Sequence, residues 1–390
     1  MATSILSTPC YQLYQDLVDR IFGNSVVKIK PGVDNNVIGT LKFTTDFLCF
    51  KKNFESRLTR LRDRYAGTRS FNDLIETVAQ VADSKNWEGA YAELVAYDVM
   101  SNDYLPDAIE LNKTLPVSES FAGEMGGKET NEDGFIGEYN IYFDVKILAD
   151  TVGGILKGII NEAIKNANHD SICNILPEYP LDDDEGDYQI HRRQLMEELR
   201  DYLIANRPSD NKGKACMGSS IVPNLSFRIN WGGGINCSTG SYNPYRHAEE
   251  CKHLILKRYT KKFMKNNPFF LVMVNFPWYN GKINSFINAN EVFYRSLSRR
   301  TFCEYKNLQT KMSAIVSKYT GSETIFEVSN YLSGIIFIDD HSTKEDQYSC
   351  HIYINPNAKN KLEYGSSYLR QIVSLGDSRG VWNDLENDNY

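Results

Sequence analysis

Asp133-Gly134-Phe135-Ile136-Gly137-Glu138-Tyr139-Asn140-Ile141-Tyr142-Phe143-Asp144-Val145-Lys146 is the stretch on which the fold turns. Ile141, Phe143 and Val145 alternate with Tyr142, Asp144 and Lys146, and this period of two predicts a half-buried strand with Asp144 and Lys146 on one face. Upstream, Asp133-Gly134 and Gly137 punctuate a shorter segment, which predicts a hairpin that sets Asp133 on a strand beside Asp144. Two neighbouring carboxylates repel unless a cation lies between them. A hard divalent ion such as Mg2+ takes oxygen ligands, polarises a phosphoryl oxygen and acidifies a bound water, and a nearby ammonium can hold that water or offset developing charge.

The acid-x-Lys triplet alone carries little information, because the chain has five: at Asp83, Asp144, Asp210, Glu250 and Glu304. Only the one at Asp144 follows a strand-like apolar run with an acidic residue at hairpin distance before it. Further upstream, Trp87 to Met100 sets Ala90, Leu94, Tyr97 and Val95, Val99 at helical spacing, which predicts an amphipathic helix with Glu93 near its apolar border. The order is therefore a helix bearing Glu93, then Asp133, then Asp144-x-Lys146.

In this order the residues resemble the PD-(D/E)xK, or restriction-endonuclease-like, nuclease superfamily, over about residues 80 to 150. The resemblance implies an α/β fold with a mixed central sheet flanked by helices. It makes Asp133 and Asp144 ligands of Mg2+ (or Mn2+), Glu93 an accessory ligand or a group that orients one, and Lys146 the residue serving the attacking water. Glu132 stands where the family has proline, and Asp144 where glutamate is commoner. Pro106-Asp107 lies 37 residues before Asp144, and Glu138 sits at the turn, so Asp107 and Glu138 stay open as alternatives to Asp133. The implied activity is metal-dependent hydrolysis of DNA phosphodiesters in restriction or antiviral defence. The alternative is a catalytically degenerate nuclease fold that binds nucleic acid or assembles a complex. DNA is the implied partner, with a second copy or defence-system proteins as others, and RNA stays open.

With 390 residues, 42% hydrophobic and 24% charged, the chain suits an ordinary globular protein with one elaborated domain or two. The expected division is a mixed helical region at 1–80, the nuclease domain at 81–370 and a polar tail at 371–390. No apolar run is long enough to span a bilayer and the start lacks a signal-peptide pattern, so no membrane partner and a cytoplasmic location are expected. Eight scattered cysteines without a Cys-x2-Cys pair argue against a local zinc motif, and fit reduced thiols. The six histidines form no metal-type pair.

The net charge of -7 opposes bulk adhesion to nucleic acid but permits a local basic groove. Residues 247–265 predict one amphipathic helix whose basic side, with Lys257, Lys261 and Lys262, is the best candidate for DNA-backbone contact. Arg57, Arg60, Arg62, Arg64 and Arg69 suit a solvated face better than a phosphate site. The acidic run from Asp182 to Asp187 reads as a solvated loop, and Gly232-Gly233-Gly234 as a turn without the Lys-Ser/Thr of a P-loop.

Further elements follow from pattern. Helices are predicted at 11–22, 71–82 and 192–204, and at 151–168, the last packed behind the site. Strands are predicted at 173–176, ended by Pro177, and at 225–231, 269–275, 332–338 and 350–358, before a tail that frays from Asp377.

Overall fold

A computed structural model describes residues 8–33, 35–42, 48–101, 107–148, 151–167, 173–179, 185–210, 212–232, 243–276, 289–343, 348–362 and 381–382. The chain divides into two units, one made of residues 1–148 with 252–390 and the other of residues 149–251. In chain order the first unit opens with helices α1 (Cys10–Phe22), α2 (Leu48–Tyr65), α3 (Phe71–Gln80) and α4 (Trp87–Met100). Strands β1 (Glu110–Leu115), β2 (Thr130–Ile136) and β3 (Ile141–Ile147) follow. The second unit holds α5 (Thr151–Asn166), β4 (Cys173–Glu178), α6 (Arg192–Ala205), β5 (Gly213–Gly218) and β6 (Ser226–Trp231). The chain then returns through α7 (Leu254–Tyr259), β7 (Phe269–Asn275), α8 (Ala289–Cys303), β8 (Gly334–Asp340), β9 (Tyr348–Ile354) and the two-residue β10 (Val381–Trp382).

The main sheet has the order β1-β2-β3-β7-β8-β9-β10. It is mixed: β1, β2 and β3 are antiparallel, β3, β7 and β8 run parallel, β9 is antiparallel to β8, and β10 is parallel to β9. The α/β class with a mixed sheet is thus as expected. Its register aligns Asp144 with Leu271 and Lys146 with Met273. Alternation then separates two faces. Phe143, Val145, Phe270, Val272, Ile336 and Ile352 share one core with the buried side chains of α1 to α4. On the other face, Tyr294 of α8 stacks on Phe337 with ring centroids 4.1 Å apart. A buried side chain of this kind contributes roughly 1.5–3 kcal/mol. A one-residue slip of β3 would turn three of them outward, so burial fixes the register that puts Asp144 and Lys146 together.

Four expectations change here. Residues of 1–80 share the sheet's core, so the division falls near 149 and 251, not at 80. The helix α4 is buried on nearly every side, Trp87, Tyr91, Leu94, Val95, Tyr97 and Val99 included, where an amphipathic helix was expected. A layer covered on both sides requires that all-round apolar surface. The amphipathic α5, expected to pack behind the site, instead buries Ile155, Leu156 and Ile159 in the second unit's own core with Leu195, Leu199 and Phe227. The predicted helix over 247–265 is broken into Pro244–Cys251, α7 and a 3-10 turn at Thr260–Lys262, the first break falling at the boundary between the units.

The second unit's sheet has the antiparallel order β4-β6-β5. Pro177 does not end β4, since it pairs with Phe227; β4 is an edge strand, where the missing N–H of proline is tolerated. Val381 and Trp382 of the expected fraying tail pair with Ile352 and Tyr353. The rest of that tail, Gly233, Gly234 and Asp182 to Asp184 lie outside the described residues. No helix among the described residues is long and apolar enough to cross a membrane.

Candidate active site in the β2–β3 hairpin

Gly134 faces Phe143 across the hairpin, and a Cβ on Gly134 would lie 2.0 Å from the Phe143 ring. Only glycine lets the aromatic ring lie across β2, and this draws Asp133 in beside the start of the Asp144-x-Lys146 triplet. A 3-10 turn at Gly137–Tyr139 and Asn140 at φ 51° close the hairpin. Asparagine tolerates that left-handed backbone better than most residues.

At Asp133 the regular ladder stops. Its carboxylate Oδ2 accepts the Val145 amide at 2.7 Å in place of a main-chain carbonyl. On the other side, the facing Asn112 of β1 has φ 49°, and the pairing skips from Leu111–Gly134 to Lys113–Glu132.

Asp144 is fully buried, and both its oxygens meet ammonium groups. Oδ2 is ion-paired with Lys146 Nζ, and Oδ1 lies 3.1 Å from Lys262 Nζ. Lys146 Nζ is also 3.8 Å from Asp133 Oδ2, donates to the Val145 carbonyl at 2.9 Å, and stands 5.8 Å from the centre of the Tyr259 ring. Lys262 additionally donates to the Asn131 carbonyl. Glu132 is buried beside them; its Oε1 accepts from Thr130 Oγ1 at 2.8 Å, and its Oε2 has no hydrogen-bond partner among the described residues. On α4, Glu93 Oε2 lies 3.4 Å from Thr77 Oγ1 and 3.4 Å from the Tyr97 hydroxyl. That hydroxyl is also 3.2 Å from the Asp133 carbonyl, so one phenol ties the helix to β2.

The electrostatics follow from crowding in a water-poor place. Burial, then the charge of Asp144, pushes the Glu132 carboxyl up to about 8. The same causes in the same order raise Asp133 well above the ordinary aspartate range. Glu93 is raised by burial, with Lys146 pulling the other way. Burial is the largest influence on Lys146 and Lys262 and opposes their charge, yet Asp144 together with the neighbouring carboxylates outweighs it and both are raised. The carboxyl groups compete for cations while the ammonium groups are held charged.

The structure thus brings Glu93, Asp133, Asp144 and Lys146 under one another's field and adds Glu132 and Lys262. The alternatives to Asp133 stay apart: Glu138 is exposed in the turn, and Asp107 is exposed with its carbonyl taken by Arg64. Of the three lysines expected on one basic side, Lys257 and Lys261 are exposed, but Lys262 is turned onto Asp144. The 3-10 turn is the reason, since its tighter winding rotates position 262 away from the side a continuous α-helix would present.

Glu132 was missed because strict alternation sends neighbours Glu132 and Asp133 to opposite faces; the interrupted ladder at Asp133 lets both feel Asp144. No sequence signal marks Lys262 apart from its basic neighbours.

An all-oxygen donor set suits a hard divalent cation, and Glu132 keeps an oxygen without a hydrogen-bond partner. In donor type and charge the residues therefore fit Mg2+ or Mn2+. Among the described residues, however, no three His, Cys, Asp or Glu side chains are gathered closely enough to hold an ion; ammonium groups stand on Asp144 instead. Comparison with protein-family models, curated proteins and solved structures finds no match to this chain.

Proposed function

We propose that the hairpin cluster is the active site of a Mg2+- or Mn2+-dependent nuclease that hydrolyses DNA phosphodiester bonds within a restriction-endonuclease-like fold. One observation carries this. Four carboxyl groups, Glu93, Glu132, Asp133 and Asp144, face two ammonium groups, Lys146 and Lys262, so full ionisation would leave two negative charges uncompensated in a largely buried site. A divalent cation supplies that deficit. The order of Glu93, Asp133 and Asp144-x-Lys146 along a helix and a hairpin supports the same resemblance, and Glu132 in place of proline is its departure.

Asp133 and Asp144 would hold the ion, with Glu132 or Glu93 completing or orienting the shell. When bound, the ion polarises a phosphoryl oxygen and acidifies a water. Lys146, fixed by Asp144, Asp133 and the Val145 carbonyl, orients the attacking water and offsets charge on the phosphorane-like transition state. Tyr259 walls off one side of that ammonium. Exposed Lys257 and Lys261 would contact the DNA backbone. Restriction or antiviral defence in the cytoplasm, with a second copy or defence partners, is the setting that accompanies such a site.

The ammonium groups on Asp144 favour one second possibility, a degenerate nuclease fold that binds without cutting. The two separate in a single assay. Purified protein is incubated with plasmid DNA, and in parallel with RNA, in Mg2+ or Mn2+. Cleavage of DNA that Asp144→Ala and Lys146→Ala each abolish, with circular dichroism unchanged, supports the nuclease. Cleavage that survives both substitutions sinks the site.

A further inference from the structure

Lys262 differs from Lys146 in where it comes from and what holds it. Lys146 belongs to β3 itself and is clamped on three sides. Lys262 arrives from the 3-10 turn that follows α7, and its main chain is well fixed. Thr260 and Phe263 on either side are fully buried, Phe263 packs on Phe269 at 5.7 Å between ring centres, and Lys265 N donates to the Glu119 carbonyl at 2.8 Å. Among the described residues its ammonium has two anchors, Asp144 and the carbonyl of Asn131, and Asn131 is exposed. The Lys262 ammonium therefore stands between a fully buried carboxylate oxygen and the solvent boundary on a flexible four-carbon stem.

We infer that Lys262 is a built-in counter-ion for Asp144 which a divalent cation must displace, so that metal loading and release of the Lys262 ammonium are one coupled event. This rests on the reading of Asp144 as a metal ligand. Two cations cannot share the Asp144 Oδ1 position, because their repulsion in a poorly solvated site is strong. Lys146 keeps Oδ2 and its place beside Asp133, whereas Lys262 can swing outward and leave Oδ1 to the ion. The metal then binds against a standing competitor, and its apparent affinity is reduced by the stability of the Lys262–Asp144 pair. The exposed Lys257 and Lys261 nearby in sequence make the released ammonium a third cation available to a phosphate backbone.

The test is Mn2+ binding to the full chain by isothermal titration calorimetry, without nucleic acid. Lys262→Gln is expected to bind Mn2+ about tenfold more tightly than the wild type, the factor one charge-assisted contact represents. Lys262→Arg, which keeps the cation, is expected to match the wild type, and Asp144→Asn to lose binding.

A second measurement needs no variant. Lysine acetylation of the wild type, followed by mass spectrometry, is expected to show Lys262 becoming several-fold more reactive when Mn2+ is added, about the change expected when a paired amine is freed. Equal or weaker Mn2+ affinity in a folded Lys262→Gln protein overturns the inference; so does an absence of Mn2+ binding throughout, or Lys262 reactivity that stays level or falls. If Lys262→Gln does not fold, the acetylation result decides alone. Release of Lys262 by Mn2+ without cleavage of DNA or RNA would count against the nuclease and leave the displacement standing; metal-dependent cleavage with Lys262 unmoved would do the reverse.

Discussion

Two clusters of charge among the described residues of the sheet-bearing unit end in opposite electrostatic states. In one, Arg57 of α2 reaches Asp340 of β8 at 2.9 Å and Asp98 of α4 at 3.3 Å, while Arg60 takes Asp98 at 2.7 Å. Tyr91 donates to Asp340 at 2.8 Å, and Ser342 lies against both carboxylate oxygens of Asp340. Two acids meet two guanidinium groups. Burial, the largest influence, would raise the Asp340 carboxyl, but Arg57 together with the Ser342 and Tyr91 hydroxyls outweighs it and the carboxyl is held below the ordinary range. In the hairpin cluster four acids meet two ammonium groups, and Glu93, Glu132 and Asp133 are raised. The first cluster is neutral and closed and welds helices to sheet. The second has two acids more than cations, and burial with the charge of Asp144 raises its Glu132 and Asp133 carboxyls, the kind of perturbation that marks a candidate functional site.

The sharpest way to break this contrast is stability. Arg57→Met leaves Asp340 buried without its counter-charge and is expected to cost about 3–5 kcal/mol in urea unfolding. Asp144→Asn, at an equally buried position, relieves repulsion on Asp133 and Glu132 while removing a partner of two lysines; its cost is expected below about 1 kcal/mol. Equal losses for the two variants would mean that the hairpin cluster is structural cement like the other.

A smaller effect is expected from the hairpin's geometry. Gly134→Ala puts a methyl group into the Phe143 ring, and overpacking of that kind costs about 1–3 kcal/mol. Phe143→Leu on top of it should recover part of the stability and, on the proposed function, part of the cleavage. Failure of that rescue would show that the ring contact does not set the position of Asp133.

The two clusters should also separate on the pH axis. Glu132 is protonated up to about 8 in the folded chain and only to about 4.5 when unfolded. Between those values the native state binds the extra proton, so stability falls as pH rises through the window. Asp340 is the reverse case: its contribution is present above the ordinary aspartate pKa and is lost as pH falls through its depressed folded value. Thermal unfolding in chelator should therefore show higher stability at pH 5 than at pH 8, a slope that Glu132→Gln reduces and that Mn2+ removes. An unchanged slope in Glu132→Gln would assign it to groups outside the hairpin.

How far the sequence spoke for these features depends on how local their causes are. The alternation at 141–146 and the apolar run at 269–275 identified β3 and β7 because both strands are covered on a long regular stretch, where burial alone dictates residue type. The apolar stripe of α5 said that the helix needs a core, but a stripe cannot say which core, and the chain supplied a second one. Glu132 and Lys262 were illegible for a sharper reason. Each is placed by a departure from regular geometry, the broken ladder at Asp133 and the 3-10 winding at 260–262, and periodicity describes only what is regular.

That last departure divides one basic segment into an inner and an outer set, and this gives the finest test of the comparison. Lys257 and Lys261 are exposed, whereas the Lys262 side chain is 17% exposed and ion-paired. A lysine that neutralises a phosphate releases a counter-ion, so removing it lowers the salt dependence of binding by about one unit of slope and weakens affinity a few-fold. Fluorescence anisotropy on a short DNA duplex in metal-free buffer should show such losses for Lys257→Ala and Lys261→Ala. Lys262→Gln should leave the slope untouched there, because its ammonium is engaged by Asp144 and releases nothing from the DNA. With Mn2+ present in the same assay, the wild type should gain slope relative to Lys262→Gln, since the displaced ammonium then faces the backbone. A slope that Lys262→Gln lowers already without metal would place Lys262 with the outer set and erase the division.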